Sequence, residues 1–228
     1  GMKLGIEAYF NKINKKGGIN GNKLCLVSLD DGYEPSKAAP NMHQLIKDDV
    51  LSVIGNVGTP TAIVTVPIAN KQKTLLFGAF TGANVLRKSP PDRYIINYRA
   101  SYSEETAAMI DGLLNAGIKE KEIVFFTQND GYGDAGYNGA VNALKKRGFK
   151  NVSALIHGRY TRNTLNVEYG LAQILDSIIE PKAIIMVGTY APCAKFIKLA
   201  KENFPKALFL NVSFVGSKSL AKELGSAG

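Results

Sequence analysis

The feature that most constrains this chain is a regular alternation of short, continuously apolar runs with longer amphipathic stretches. The runs Ile123-Val124-Phe125-Phe126 and 183–187 contain no charged or strongly polar position. A strand of this kind must be covered on both faces, whereas a half-exposed strand alternates apolar and polar residues. Strands of this type separated by helical patterns predict an α/β fold with mainly parallel sheets and helices on both faces.

The alternation divides the chain into two series of elements. The proline-marked break Ser89-Pro90-Pro91-Asp92 and the run 97–102 separate them, which predicts two lobes, 1–98 and 99–228. Ser36 is the predicted N-cap of the second helix. Predicted strands cover 24–29, 51–57, 74–77, 94–98, 122–127, 152–158, 183–188 and 208–213. Predicted helices cover 2–15, 36–48, 60–70, 104–116, 134–147, 164–179 and 191–203, and a last one begins near Lys218.

Composition excludes several classes of protein. Hydrophobic residues make up 45% and charged residues 21% of the 228, as in ordinary globular domains rather than disordered chains. The net charge of +9 comes from scattered Lys and Arg, mostly at helix ends, where the helix dipole favours cations, so no nucleic-acid partner is predicted. The apolar runs fall far short of the roughly 20 residues that a membrane span needs. The two cysteines, Cys25 and Cys193, predict neither a metal cluster nor a disulfide scaffold, and no cofactor is predicted.

The ends of the predicted strands carry the residues best suited to binding. In parallel α/β sheets, ligands meet the carboxyl ends of strands, where helix N-termini present unpaired N–H groups. Five such turns hold hydroxyls or aromatic rings, and most contain glycine, which favours a small molecule with a carboxylate and an apolar part. The alternative, that these residues only cap helices, stays open. The turns are 58–61, 78–83, 129–133, 188–192 and 211–214.

Catalytic patterns are weak. No Gly-x-Ser-x-Gly elbow or phosphate-binding loop occurs, and the neighbouring carboxylates Asp30-Asp31 and Glu104-Glu105 point apart, as solvated or capping residues do. His43 is expected on an exposed helix face, and His157 is expected to be structural or to line the cleft. Cys193 begins a helix but has no evident histidine partner. No enzyme, catalytic residue or metal ligand is predicted.

Several segments together resemble a known family. They begin with Leu4-Gly5-Ile6-Glu7-Ala8-Tyr9-Phe10, the segment 14–24 with its two glycine-rich turns, and Asp30-Asp31. The chain resembles the substrate-binding proteins of branched-chain amino acid ABC transporters, the leucine/isoleucine/valine-binding protein family with the type I periplasmic-binding-protein fold. The resemblance implies an exported, periplasmic protein that closes two hinged lobes on a small ligand and delivers it to a membrane permease. The further matching segments are 58–61, 78–83, 97–102, 129–133 and 213–217.

The resemblance also implies roles for individual residues. Thr59 and Thr81 match the hydroxyl residues that hold the ligand's α-carboxylate, and Ala79 matches the residue whose carbonyl accepts from the α-amino group. Tyr132 and Tyr190 match aromatic residues that close over the ligand. Further candidates are Phe80 and Tyr102, for the apolar side, and Ser213, near the position of the family's acidic residue.

Two departures from the family bear on the ligand. Serine at 213 offers no charge to an ammonium group, and a buried ammonium without a counter-charge is costly. The hypothesis that follows is a carboxylate ligand without an α-amino group, or a ligand whose ammonium pairs with Asp130 instead. The family's disulfide-bearing positions near Tyr33 and Gly58 lack cysteine, so no disulfide is expected.

The resemblance is incomplete at both ends. Family members have a strand before the helix at Met2 and a return to lobe 1 after residue 228, and this sequence matches neither. Open strand edges beside 24–29 and 51–57 predict strand pairing or element exchange in a homodimer. Three other interpretations stay open: a ligand-sensing regulatory domain of the same fold, an α/β enzyme, and a fragment without a function of its own.

Overall fold

The computed structural model describes residues 1–227, which form two separate parallel sheets with helices around them. Sheet order is β1-β2-β3 in the first sheet and β5-β4-β6-β7 in the second, and every strand pair is parallel. The α/β class predicted from the alternation is therefore confirmed. We call the first sheet with its helices lobe 1 and the second lobe 2. The strands are β1 (Val53–Ile54), β2 (Leu76–Phe77), β3 (Ile95–Ile96), β4 (Ile123–Gln128), β5 (His157–Tyr160), β6 (Ala183–Val187) and β7 (Leu208–Asn211).

Eight α-helices connect and cover these strands in the described part of the chain. In lobe 1, α2 and α3 enclose a core of apolar side chains around β1 and β2. In lobe 2, α4 packs against α5, and α7 packs against α8. The helices are α1 (Met2–Lys15), α2 (Pro35–Lys47), α3 (Thr59–Gln72), α4 (Tyr102–Asn115), α5 (Gly131–Lys146), α6 (Glu168–Leu175), α7 (Tyr190–Asn203) and α8 (Ser217–Leu224).

Lobe 2 shows why its strands are continuously apolar. Side chains of β4 point alternately to the two faces of the sheet, and each face is covered. Phe125 joins the apolar cluster beneath α4 and α5, whereas Phe126 joins the cluster beneath α6 and α7. The Phe126 ring stacks on that of Phe196 from α7, with centroids 3.8 Å apart. All six residues of β4 are buried, and a buried polar group needs a hydrogen-bond partner. The two polar residues at its carboxyl end have one: Thr127 bonds to His157 and Gln128 to Tyr33.

Several element boundaries differ from the sequence predictions, and the predicted strands 51–57, 74–77 and 94–98 are each reduced to two residues. The second helix begins at Pro35 with Glu34 as its N-cap residue, so Ser36 lies inside the first turn and caps nothing. The predicted strand 152–158 is wrong in its first half: Val152–Ala154 form a short 3-10 turn, and the ladder begins at His157, opposite Phe125. The predicted helix 164–179 shrinks to α6.

The strand predicted over residues 24–29 is extended but belongs to no ladder. Near its start, the Asn14 side-chain amide accepts from the N–H of Leu24 and donates to its C=O, both at 2.7 Å. A cavity of about 420 Å³ separates this segment from β1. On the edge of β1 away from the cavity, the N–H groups of Val53 and Gly55 donate to carbonyls of the chain segment that contains β2. Because the backbone groups of successive strand residues point to opposite edges, those of Ile54 face the cavity. An apolar alternation predicts an extended conformation, but a ladder also needs a neighbouring strand.

No helix among residues 1–227 combines the length and the apolar character that crossing a bilayer requires.

His157 gives lobe 2 a calculable pH dependence. Its Nε2 lies 2.7 Å from Thr127 Oγ1 and its ring stacks on Tyr137, with centroids 4.0 Å apart. Burial, and secondarily the charge of Arg159, lowers the pKa of His157 from 6.5 to about 4. The folded state therefore disfavours the imidazolium, so the stability contribution is complete above the unfolded pKa and falls as the pH drops below about 6.5.

Replacing His157 with Gln should make the protein less sensitive to acid. Between pH 7 and pH 5, we expect the wild type to lose about 1 to 2 kcal/mol more of its free energy of unfolding than His157→Gln does. Urea denaturation at both pH values measures this difference. His43→Gln, on the exposed face of α2, is the matched control and should behave as the wild type does. Equal acid sensitivity of His157→Gln and the wild type would contradict the assignment.

Candidate ligand-binding site

Two helix N-termini face each other across the gap between the lobes. Helix α3 begins at Thr59, just beyond β1, and α5 begins at Gly131, just beyond β4. A Cβ atom on Gly131 would lie 3.0 Å from Ile63 Cδ1 and 3.8 Å from Thr59 Cγ2. Helix starts carry unpaired N–H groups and a partial positive charge. At α5 the Asp130 carboxylate already accepts from the Tyr132 N–H, so the start of α3 is the one that favours an anionic group in this gap.

Two threonine hydroxyls lie at the lobe 1 side of the gap. Thr59 Oγ1 and Thr81 Oγ1 are 2.7 Å apart, and both residues are buried. The Thr59 hydroxyl does not cap its own helix. Gly58 makes the turn into the helix with φ of 97°, and a Cβ atom there would lie 2.1 Å from the Tyr33 ring. The structure thus brings together two residues that the sequence places 22 positions apart.

Aromatic rings from both lobes fill the space beside this hydroxyl pair. Phe214 of lobe 2 lies 5.3 Å from Phe80 of lobe 1 and 4.9 Å from Tyr132 of lobe 2, between ring centroids. Tyr132 is fully buried, donates its hydroxyl to the Gly188 carbonyl at 3.1 Å, and lies 5.1 Å from the ring of Tyr102. Phe80, Tyr102 and Tyr132 therefore share one apolar region, which we call the aromatic cluster together with Tyr33 and Phe214.

Ala79 and Tyr190 differ in their relation to this region. Ala79 is buried next to Phe80, and its carbonyl accepts a hydrogen bond of 2.9 Å from the Thr81 N–H. A carbonyl oxygen has a second lone pair, so this bond does not exhaust its capacity. Tyr190, at the start of α7, is 45% exposed and makes no ring contact with the aromatic cluster among the described residues.

Ser213 has charged neighbours that the sequence did not reveal. Its N–H and Oγ donate to the two carboxylate oxygens of Glu105, at 2.6 and 2.9 Å, and Arg99 donates to Ser213 Oγ at 2.5 Å. The neighbouring carboxylate of Glu104 has the expected capping role, because it accepts from Ser101 N–H at 2.7 Å. The two adjacent acids therefore have different roles. Glu104 caps α4, whereas Glu105 places a negative charge next to Ser213, which has none of its own.

Asp130 is already occupied by protein donors. Its carboxylate accepts from the Tyr132 N–H at 2.9 Å and from Gln128 Nε2 at 2.7 Å, and it lies 3.4 Å from Arg162 Nη1. A ligand ammonium would have to compete with these partners for the same oxygens. The geometry offers little support for Asp130 as the substitute counter-charge.

A polar contact joins the lobes beside the gap. Glu34, just before α2, accepts from Arg162 Nη2 and from Asn163 Nδ2, both at 2.6 Å. The Arg162 hydrogen bond, followed by that of Asn163, lowers the pKa of Glu34. We call Glu34, Arg162 and Asn163 the interlobe clasp. Tyr33 and Gln128 add a second contact between the lobes at 3.1 Å.

Features that would indicate catalysis are not assembled here. Cys193 is fully buried, and burial raises the pKa of its thiol. A Cβ atom on Gly188 would lie 2.7 Å from its Sγ, so the thiol packs under the strand end rather than facing the gap. Within residues 1–227, no three His, Cys, Asp or Glu side chains converge in a way that could hold a metal ion.

Comparison with known proteins gives consistent matches. A family model described as periplasmic binding protein matches residues 1–228. The crystal structure of a protein described as a possible leucine/isoleucine/valine-binding protein from Rhodopirellula baltica is 54% identical, with a TM-score of 0.93, over 98% of this chain and 60% of that one. The Leu/Ile/Val/Thr-binding protein of Salmonella typhimurium is 29% identical over 187 residues, 68% of this chain and 49% of that protein. The Leu/Ile/Val-binding protein of Escherichia coli is 27% identical over 186 residues, 68% of this chain. The chain spans about half the length of these curated relatives.

The interlobe clasp should hold the two lobes in their closed arrangement. Glu34→Gln removes the charge that Arg162 and Asn163 bind, so we expect a larger radius of gyration in small-angle X-ray scattering. Glu168→Gln is the matched control, because Glu168 pairs with Lys195 inside lobe 2 and not across the gap. Identical radii for the wild type and Glu34→Gln would show that the clasp does not hold the lobes together.

Proposed function

The chain belongs to the periplasmic binding protein family, and from this premise we propose that it is the solute-binding component of an ABC importer, located in the periplasm. It binds a small carboxylate-bearing ligand, an amino acid or a related organic acid, in the gap between its lobes. The observation that carries the proposal is the pair of buried hydroxyls, Thr59 and Thr81, beside two facing helix starts. The Leu/Ile/Val binding named for its relatives supports the ligand class.

The binding step follows from the chemistry of the gap. A ligand carboxylate accepts hydrogen bonds from the Thr59 and Thr81 hydroxyls and from the free N–H groups at the start of α3. The carbonyl of Ala79 accepts from an amino group where the ligand has one, and the aromatic cluster contacts its apolar part. Tyr190 and Ser213 complete the proposed site at its rim. No bond is made or broken in this cycle.

Closure and delivery involve both lobes. We place the lobe boundary between residues 98 and 99, because the first sheet ends at Ile96 and α4 begins at Tyr102. The lobes hinge about this connection, close on the ligand, and present the closed form to a membrane permease. A ligand-sensing domain with the same fold would close in the same way but pass the signal to a regulatory partner. Permease and ATPase genes beside the coding gene would favour transport.

Binding is tested by calorimetric titration with leucine, isoleucine, valine and their counterparts without an amino group. Thr59→Val and Thr81→Val each remove one buried hydroxyl while keeping side-chain shape. We expect either to weaken binding of the best ligand roughly 5- to 100-fold, because each loses a hydrogen bond to a charged acceptor. Thr74→Val, at a loop hydroxyl outside the gap, is the control and should bind as the wild type does. Unchanged affinity in both gap variants would remove the central support of the proposal.

We further propose that two copies of this chain associate through the open edge of β1. The backbone of Ile54 and the exposed apolar side chains of Val27 and Leu29 border the same cavity, and unpaired strand edges of this kind readily pair with another chain.

Light scattering should then show a concentration-dependent dimer. Val27→Lys adds a charge at that edge and should shift the equilibrium towards the monomer, with helical circular dichroism unchanged. A monomer with intact helicity at every concentration of the wild type would refute the association.

A further inference from the structure

Phe214 lies where the apolar part of a ligand would be expected. It belongs to the short turn Ser213–Val215 that follows β7, and its ring is half-buried against rings from both lobes. Phe80, which it contacts at 5.3 Å, directly precedes Thr81 of the hydroxyl pair. Tyr132, at 4.9 Å, directly follows Gly131, whose Cα packs towards Thr59. Phe214 thus contacts one ring from each lobe, and each ring adjoins in sequence a residue at the proposed carboxylate site.

The turn that carries this ring is fixed from both directions. On one side, Ser213 holds three hydrogen bonds, two to Glu105 and one from Arg99. On the other, Val212 and Val215 are buried in lobe 2. The Arg99 guanidinium also lies over the Phe80 ring, 4.0 Å from its centroid. Arg99 therefore ties the turn of lobe 2 to the ring that Phe214 faces, which restricts how far Phe214 can move.

We infer that Phe214 determines the size of ligand that the gap accepts, and that Glu105 and Arg99 position it. This inference rests on the proposed ligand-binding function. A benzyl side chain held at this point occupies space on the apolar side of the proposed carboxylate site, so a ligand with a small aliphatic side chain is favoured over one with a second aromatic ring. Removing the ring creates a space of about the size of the group removed, because the bonded turn cannot collapse into it.

The test compares ligands that differ in size at constant charge. Calorimetric titration uses leucine and phenylalanine, and the same pair without the amino group, 4-methylpentanoate and 3-phenylpropionate. For each pair, the ratio of the aliphatic to the aromatic association constant is measured in the wild type, Phe214→Leu and Phe214→Ala. We expect the ratio to fall at least tenfold in Phe214→Ala and by a smaller factor in Phe214→Leu. Tyr169→Ala, an exposed aromatic residue of α6, is the control and should leave the ratio unchanged.

A separate measurement tests whether Glu105 positions Phe214. Glu105→Ala should lower the same ratio, because it releases Ser213, whereas Glu105→Gln keeps an acceptor for the Ser213 N–H and should restore the ratio at least in part. A merely structural role would weaken all four ligands by the same factor and leave the ratio fixed.

The outcomes separate the two proposals. If the wild type binds none of the four probes and none of the branched-chain amino acids, both the binding function and this inference fail. If the wild type binds but all variants keep its ratio, or lose affinity equally for small and large ligands, only the role of Phe214 is overturned. Phe214→Leu guards against a folding defect in the alanine variant, since it retains most of the buried apolar surface.

Discussion

The close approach of α3 and α5 is the constraint on which the rest of the arrangement depends. It holds because residue 131 is a glycine: a Cβ atom at this position would meet Ile63 of lobe 1 at 3.0 Å. With the two helix starts in contact, the start of α3 and the Thr59 and Thr81 hydroxyls lie beside the start of α5, whose Tyr132 N–H is bonded to Asp130. The aromatic cluster then closes the gap on its apolar side. If α3 and α5 lay farther apart, each helix start would be exposed to water and would attract an anion only weakly.

Nearly all of the charged side chains described around the gap already have partners within the protein. Glu34 and Asp130 share Arg162, and Glu105 uses both oxygens on Ser213. The hypothesis of a ligand without an amino group was based on the missing charge of Ser213 alone. Glu105 weakens that argument, because a carboxylate does stand at this position, although its oxygens already have donors. An amino group on the ligand would therefore have to replace Ser213 as the partner of Glu105.

The sequence predicted the central strands of lobe 2 well and the first strands of lobe 1 less well, for a physical reason. Strand β6, and β4 as far as Phe126, are apolar because both faces are covered, and that signal is local. The segment 24–29 carries a similar signal, yet its conformation depends on a neighbouring strand that a local pattern does not contain. The misplaced start of β5 has the same origin, since pairing of His157 with Phe125 sets where the ladder begins. Thr59 and Thr81 were found because strand ends converge in any parallel sheet. Glu105 with Ser213, and Glu34 with Arg162, lie 108 and 128 residues apart, and no periodicity links them.

The two lobes also differ in how much sheet supports them, and this bears on the binding cycle. The ladders of lobe 1 are only two residues long and one edge of β1 opens on a cavity, whereas the lobe 2 strands are four to six residues long and packed on both faces. A ligand that bonds to Thr59, Thr81 and the start of α3 adds its contacts mainly to the less supported lobe. Because binding to the native state stabilises whatever it holds together, a ligand bound as proposed would stabilise lobe 1 and its contact with lobe 2.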